Sequence, residues 1–378
     1  MNTSALLVFE GGHPLETGKE ERFLLQVRRA ALLDLLEDAV QIAELDPVIL
    51  ATDDRVLAVQ AGRLGVRPEL DQGADFHFGR RLAALTEPLA AQTVIYMGGG
   101  ACPLIRAADL RQWHELLQES AQAFLVNNPM SPDIIGFHAG SIVRHGITLP
   151  DADNKMALTL KEGGLARILI PHSARIHFDL DTPGDALLLS TLSGVGKRTG
   201  KVLETIPWDA EPLQAVRRIF TRDSAELFLA GRVGPSIITF LNQHFKIRIR
   251  VLGEERGMKA LGREEQGHVR SLLADWLAWD GSTTARQAGL ESFFRALAAT
   301  CDAALIDTRV LFAHGGRRVS PADRFASDVG DWSRIHDPKV RAFTRAALDA
   351  PLPVVLGGHS LVSGGLWALA ADYVMPER

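Results

Sequence analysis

Residues 5–52 contain ALLVF, then RFLLQVRRAALLDLLEDAVQIAEL, then PVILAT. The outer two are short apolar runs. The middle one repeats its apolar residues at helical spacing and carries acids and bases on its other face. A helix that long between two short strands cannot be a hairpin connection, so the two strands must lie parallel with the helix packed on their sheet. TVIYM, AFLVN, IIGFH and ARILIP continue the alternation through the first half. The fold class that follows is α/β, with a mainly parallel sheet.

A chain of 378 residues with 46% apolar and 23% charged side chains can bury two ordinary cores. The Gly-, Ser- and Lys-rich stretch SGVGKRTGK at 193–201 reads as an exposed connector. It divides the chain into a first domain over 1–195 and a second over 201–378. In the second, ELFLA, KIRIRVL, AALIDTRVLF and PVVLG read as strands, each followed by a helical pattern, as in a doubly wound α/β domain. There is no fixed-period repeat and no low-complexity tract.

The formal charge of −5 is spread over interspersed acids and bases without a Lys/Arg block, which argues against nucleic acid and anionic membrane as partners. No segment approaches the roughly 18 apolar residues of a membrane helix. Two distant cysteines, Cys102 and Cys301, make neither a disulfide framework nor a metal knuckle, so the expected compartment is reducing and cytoplasmic. No motif sets an oligomeric state.

Three segments carry candidate chemistry: VFEGGHPLETGKEER after the first strand, GGGACPLIRAADL after TVIYM, and HFDLDTPGDALLL near 180. In this order they resemble a nucleotidyltransferase of the GT-A-like class that includes molybdenum-cofactor and 2-phospholactate guanylyltransferases. The resemblance covers about residues 1–195 and implies a GT-A-like, Rossmann-like nucleotidyltransferase domain followed by a second α/β domain. It implies that the first loop wraps a triphosphate, with Gly11, Gly12 and Gly18 freeing the backbone and Lys19 and Arg22 supplying charge, and with Gly99 and Gly100 in the second turn. Glu16 stands where the molybdenum-cofactor pattern has Arg, and the spacing from Pro14 to Lys19 is closer to the phospholactate type.

The family's second turn carries an Asp before x-Pro-Leu that holds the divalent ion, and this chain has Ala101, then Cys102 and Pro103. Sulfur is a poor ligand for a hard cation such as Mg. Glu10, Asp53 and Asp133 are the acids that could replace the missing one. The D-x-D-T-P-x-D ending is kept as Asp179, Asp181, Thr182, Pro183 and Asp185, which by resemblance makes Asp179 and Asp181 metal ligands and Lys19 and Asp181 the catalytic pair. Thr182 and Pro183 equally suit a helix cap and first helical position. The activity implied is transfer of a nucleoside monophosphate from a nucleoside triphosphate to a small phosphorylated or carboxylated acceptor, with a sugar nucleotide as the related ligand. The alternative is a non-catalytic protein that binds a nucleotide or anion in a degenerate transferase domain.

Two polar stretches, NNPMSPDIIGF and PDADNKMAL, offer Asn127, Asn128, Asp133, Asp153 and Asn154 to an acceptor, or else serve as turn residues. No family is recognised in the second half. The C-terminal ends of its strands carry Arg232, Glu254, Glu255, Arg256, Asp307, Arg309, and the GGHS turn with His359 and Ser360. These could form a site for a small anionic ligand, or each Arg could pair with a neighbouring acid. GGHSLVSGG is not a hydrolase elbow, because Val362 stands where Gly is needed and no His follows. His314, His336 and His359 with Asp307, Asp323, Asp328 and Asp337 lack the spacing of a zinc motif. Asp337-Pro338 reads as a helix start, and Trp276 and Trp279 as one helix face.

Overall fold

The computed structural model describes residues 3–11, 18–71, 76–89, 92–101, 103–259 and 261–374. The chain forms two compact units: Met1–Leu15, Arg28–His172 and Gly196–Thr199 make the first, and Glu16–Val27, Ser173–Val195 and Gly200–Arg378 make the second. Ser173–Val195, with its D-x-D-T-P-x-D segment, therefore packs in the second unit, whereas the sequence reading placed it at the end of the first. Among the described residues no helix is long and apolar enough to cross a membrane.

The first unit is a seven-stranded sheet of β1 (Ser4–Phe9), β2 (Leu45–Thr52), β3 (Arg67–Leu70), β4 (Thr93–Gly98), β5 (Ala123–Val126), β6 (Ile134–His138) and β7 (Ala166–Leu169). Their order is β3-β2-β1-β4-β6-β5-β7. Only β6 runs antiparallel to its neighbours. In the centre Leu7 lies opposite Ile49 on one side and Tyr96 on the other. Ala5 to Val8 are wholly buried, as expected of a parallel strand covered on both faces, and this is why such strands read as unbroken apolar runs. The six strands expected here are present. β3 was missed because RPEL is short, charged, contains Pro and lies at the sheet edge, where no apolar signal is required.

Because β6 is reversed, the turn between β5 and β6 returns to the edge at which β1 and β4 end, and Gly98 N–H donates to the Asp133 carbonyl at 3.2 Å. The stretch 193–201 is not an exposed connector. Asp34, on the helix Lys19–Ala39, accepts from Arg198 N at 3.0 Å, Thr199 N at 2.9 Å and the Thr199 hydroxyl at 2.8 Å, which starts the helix Lys197–Leu203. A distant carboxylate thus supplies the cap that the local sequence lacks.

The second unit holds β8 (Glu226–Gly231), β9 (Arg248–Gly253), β10 (Ala303–Asp307) and β11 (Val354–Gly357), all parallel, in the order β11-β10-β8-β9. The chain leaves β8 toward one edge and returns past it to the other. Right-handed crossovers then place helices on both faces, so the sheet is doubly wound. AALIDTRVLF is strand only to Asp307. Thr308 N makes the last ladder bond, to Gly357 O at 3.0 Å, and the Asp307 side chain then accepts from Arg309 N at 3.1 Å, which turns the chain into the helix Arg309–Ala313. Trp276 and Trp279 do not share a face, because the helix Leu272–Trp276 ends first and Ala278 adopts a positive φ of 49°. Trp276 is exposed and Trp279 joins the core with Phe312 and Phe343.

Candidate functional site

The strand order of the first unit reverses between β1 and β4, which is where open α/β sheets form a crevice beyond the carboxyl ends of their strands. Glu10 follows β1 and is only 5% exposed. Arg28 donates through Nε at 3.0 Å and Nη2 at 2.7 Å, one bond to each oxygen of that carboxylate. The turn after β4 closes over this pair, with Gly99 N–H on the Phe9 carbonyl at 2.8 Å. A methyl at Gly99 would stand 2.6 Å from the Glu10 carboxylate, and one at Gly100 would overlap the Arg28 guanidinium. The glycines expected around a nucleotide therefore make room for an internal ion pair. Ala101 lies buried at the end of the same turn.

Gly11 is exposed at this edge, and a Cβ there would meet Asp53 Oδ1 at 2.7 Å. Gly12 lies outside the described residues, as do Glu16 and Cys102. In the β5–β6 turn the buried Asn127 side-chain oxygen accepts from Asn128 N, Asp133 N and Ile134 N at 2.8, 3.1 and 3.2 Å. Asn154 accepts the Ser131 hydroxyl at 2.7 Å, and Asp153 receives the Tyr96 hydroxyl at 3.3 Å. Burial, then the Asp153 charge, pushes the Tyr96 phenol well above its ordinary range. Asn127, Asn128, Asp133 and Asn154 thus gather at one edge, and the bonds of Asn127 are those of a turn.

Gly18, Lys19 and Arg22 belong to the second unit. Lys19 donates to Asp331 at 3.0 Å and Arg22 is exposed. Of the acids that could replace the missing one, the Glu10 carboxylate is already engaged. Glu10 has both oxygens on Arg28, and position 101 offers a methyl group. Among the described residues no three or more His, Cys, Asp or Glu group to hold a metal ion.

In the second unit the strand order reverses between β8 and β10, and the charged residues expected there do come together. Asp307, wholly buried, accepts Arg232 Nε at 2.6 Å, Nη2 at 3.1 Å and the Arg232 backbone N–H at 3.2 Å. Burial alone would raise its carboxyl pKa, but the Arg232 charge and hydrogen bonds outweigh that and hold it below the ordinary range. Arg309 grips Asp328 with bonds of 2.9 and 2.6 Å and also donates to Thr308 Oγ1 at 2.9 Å. Both arginines proposed for an anion are therefore taken up by acids. Asp328 was recognised in the sequence only as a possible metal ligand, because nothing local shows that it lies opposite Arg309.

The segment Ser173–Val195 passes over these strand ends. A Cβ on Gly364 would collide with the His177 carbonyl, and one on Gly358 would come within 2.9 Å of Thr182 Cγ2. Ser360 Oγ accepts from Asp179 N at 3.1 Å and donates to Asp179 O at 3.2 Å. Thr182 caps the helix Pro183–Leu189 in a reciprocal capping box with Asp185. Asp185 Oδ2 receives Asp181 N, Thr182 N and Thr182 Oγ1 at 3.1, 2.8 and 2.9 Å. Burial, followed by the Asp181 charge, nevertheless raises the Asp185 carboxyl to about 8. Asp179 and Asp181, expected at a metal, are here part of a strap tied to the β11 loop. Burial and then the Arg232 charge lower His359 to about 4, so its ring is neutral at pH 7.

Beside the end of β9 a shallow hollow of about 770 Å³ is lined by Glu254, Glu255, Arg256, Arg270, Ser271 and His314. Several of these groups are bonded to one another: Ser271 Oγ donates to Glu254 at 2.9 Å, Arg270 N to Glu255 at 3.2 Å, and Ser271 N to His314 Nδ1 at 3.0 Å. Asp337 caps its helix with Pro338 at the first position, as expected.

Neither a protein-family profile nor a curated protein sequence matches the chain. Among solved structures it is similar to a nucleotidyl transferase from Methanothermobacter, 11% identical over 54% of this chain and 100% of that one, with a TM-score of 0.40. It is also similar to a cytidylyltransferase from Leptospira borgpetersenii, 16% identical over 55% and 94% with a TM-score of 0.39. A third is CMP:2-keto-3-deoxy-manno-octonic acid synthetase complexed with CTP, 13% identical over 45% and 90% with a TM-score of 0.34.

Proposed function

We propose that the first unit is a nucleotidyltransferase-like module that binds a nucleotide and does not turn it over. The observation that carries this reading is the buried Glu10–Arg28 pair beneath the glycine turn, beside Ala101. The described residues that follow β1, β2 and β4 and the β5–β6 turn lie at one edge of the sheet, at its reversal point, the usual place for a nucleotide in such a sheet. Nucleotidyl transfer also needs charge neutralisation on the departing pyrophosphate. At this edge the buried acid is neutralised internally and the turn carries a methyl group in place of a carboxylate. Lys19, the cation the resemblance assigns to the phosphates, donates to Asp331 instead.

The test is calorimetric titration of the full chain with each nucleoside triphosphate, with magnesium and with a chelator, followed by a pyrophosphate-release assay. The expected result is binding of at least one triphosphate, with an affinity changed less than about threefold by chelation and no release. Magnesium-dependent release would replace this reading with an active transferase. Absence of binding by every triphosphate would remove the nucleotide from the first unit.

A further inference from the structure

The hollow beside the end of β9 lies wholly within the second unit. Arg270 lines it and is anchored: its Nη1 donates to the carbonyls of Gly267 at 3.2 Å and Val269 at 2.9 Å, and neither of those residues lines the hollow. What the guanidinium leaves over is its Nε–Nη2 edge, which bonds to no described residue. This protein uses that same edge on carboxylates elsewhere. Arg28 holds both oxygens of Glu10 with it, Arg232 both of Asp307, and Arg263 both of Glu255. An anchored guanidinium has already given up rotamer freedom, so the open fork of Arg270 is preorganised for a two-oxygen ligand.

The rest of the lining decides which one. Arg256 is exposed and adds a second cation with no partner among the described residues. The two glutamates are already engaged. Glu255, at a positive φ of 39°, has its oxygens taken by Arg263 and by Arg270 N, and Glu254 has one on the Ser271 hydroxyl and the other on Leu272 N. Burial also raises the Glu254 carboxyl above its ordinary range, which weakens its charge. Asp275 adds one exposed acid. Two unpaired cations against these acids suit a singly charged anion better than a phosphate dianion. One wall is apolar, because the Leu272 side chain is 58% exposed and Trp276, one turn further on the same helix face, is 56% exposed. At the lip, neither a neighbour nor a left-handed φ demands Gly253, since a Cβ there would meet no atom within 4 Å. A glycine so placed lets a ligand approach the end of β9 closely.

We infer that this hollow binds a small organic monocarboxylate with an apolar body, its carboxylate on the Nε–Nη2 fork of Arg270 beside Arg256 and its body on Leu272. The site is separate from the paired Arg232 and Arg309, and it is independent of the nucleotide reading of the first unit.

The experiment titrates the full-length protein with acetate, hexanoate and benzoate, with the neutral amides hexanamide and benzamide, and with inorganic phosphate, and measures each affinity by ligand-observed NMR. Hexanoate or benzoate is expected to bind about tenfold or more tightly than its own amide, than acetate and than phosphate. Arg270→Lys keeps the charge and loses the fork, and should weaken that carboxylate about tenfold or more. Leu272→Ser alters an exposed side chain and should weaken it about threefold or more. This second variant decides the matter where Arg270→Lys, which also gives up the bonds to two carbonyls, fails to fold. The proposal is overturned if no carboxylate binds, if the amide binds as well as the acid, if phosphate binds more tightly than both larger carboxylates, or if either variant, once folded, binds as the unaltered protein does.

Discussion

Replacing Arg309 with Met tests whether the charge network of the second unit is the structural element described here. The Arg309 side chain is 9% exposed and that of Asp328 0%, and the bidentate contact is short. Removing one partner of such a pair leaves a buried charge and costs about 3–5 kcal/mol. The loss should depend on pH in a definite direction. Burial already raises the Asp328 carboxyl while Arg309 pulls it down. Without Arg309 its folded pKa moves further above the unfolded value, so the native state holds a proton that the unfolded chain has released. Stability of the Arg309→Met variant should then fall as pH rises through that raised pKa, and the variant should lie closer to wild type at pH 5 than at pH 8. A double variant, Arg309→Met with Asp328→Leu, removes both charges and should recover most of the loss. Urea unfolding followed by tryptophan fluorescence is a suitable assay, because five of the six tryptophans belong to the second unit. A single-variant loss below about 1 kcal/mol, or a double variant no more stable than the single, would refute the reasoning.

Asp185 gives a second pH signature. With a folded pKa of about 8 it retains a proton that the unfolded chain loses near pH 4, so its contribution to stability declines between those values by about 1.4 kcal/mol per pH unit at most. Asp185→Asn, whose amide oxygen can still accept the Thr182 bonds, should flatten that decline in urea midpoints measured from pH 4.5 to 8.5; an unchanged slope would mean that the carboxyl is ionised in the folded protein. Gly364→Ala places a Cβ on the His177 carbonyl, a backbone group that cannot swing away. It should cost more than the roughly 1–3 kcal/mol of ordinary overpacking and should raise amide exchange in residues 176–182. Wild-type exchange there would mean that the strap is not seated on the β11 loop.

Much of the architecture follows from local sequence, because a strand or a helix is encoded in the spacing of neighbouring residues. Apolar runs such as ALLVF and TVIYM marked the buried parallel strands, and Thr182-Pro183 and Asp337-Pro338 marked two helix starts through their own capping chemistry. Where a partner far along the chain decides, the local signal is silent or misleading. RPEL became an edge strand through its pairing with β2, and 197–203 became a helix through Asp34.

The candidate sites divide in the same way. Sequence alone placed Arg232, Asp307, Arg309 and His359 at strand ends, and the doubly wound sheet did bring those ends together. It left open whether each arginine faced a ligand or an acid. That depended on pairings such as Arg232 with Asp307, 75 residues apart, and Arg309 with Asp328, 19 apart. Only the tertiary structure carried Asp179 to Ser360 and gave Glu10 to Arg28. The physical reason is that an ionisable side chain has the same local signature whether it is paired, solvated or waiting for a ligand, and only the packing around it distinguishes the three.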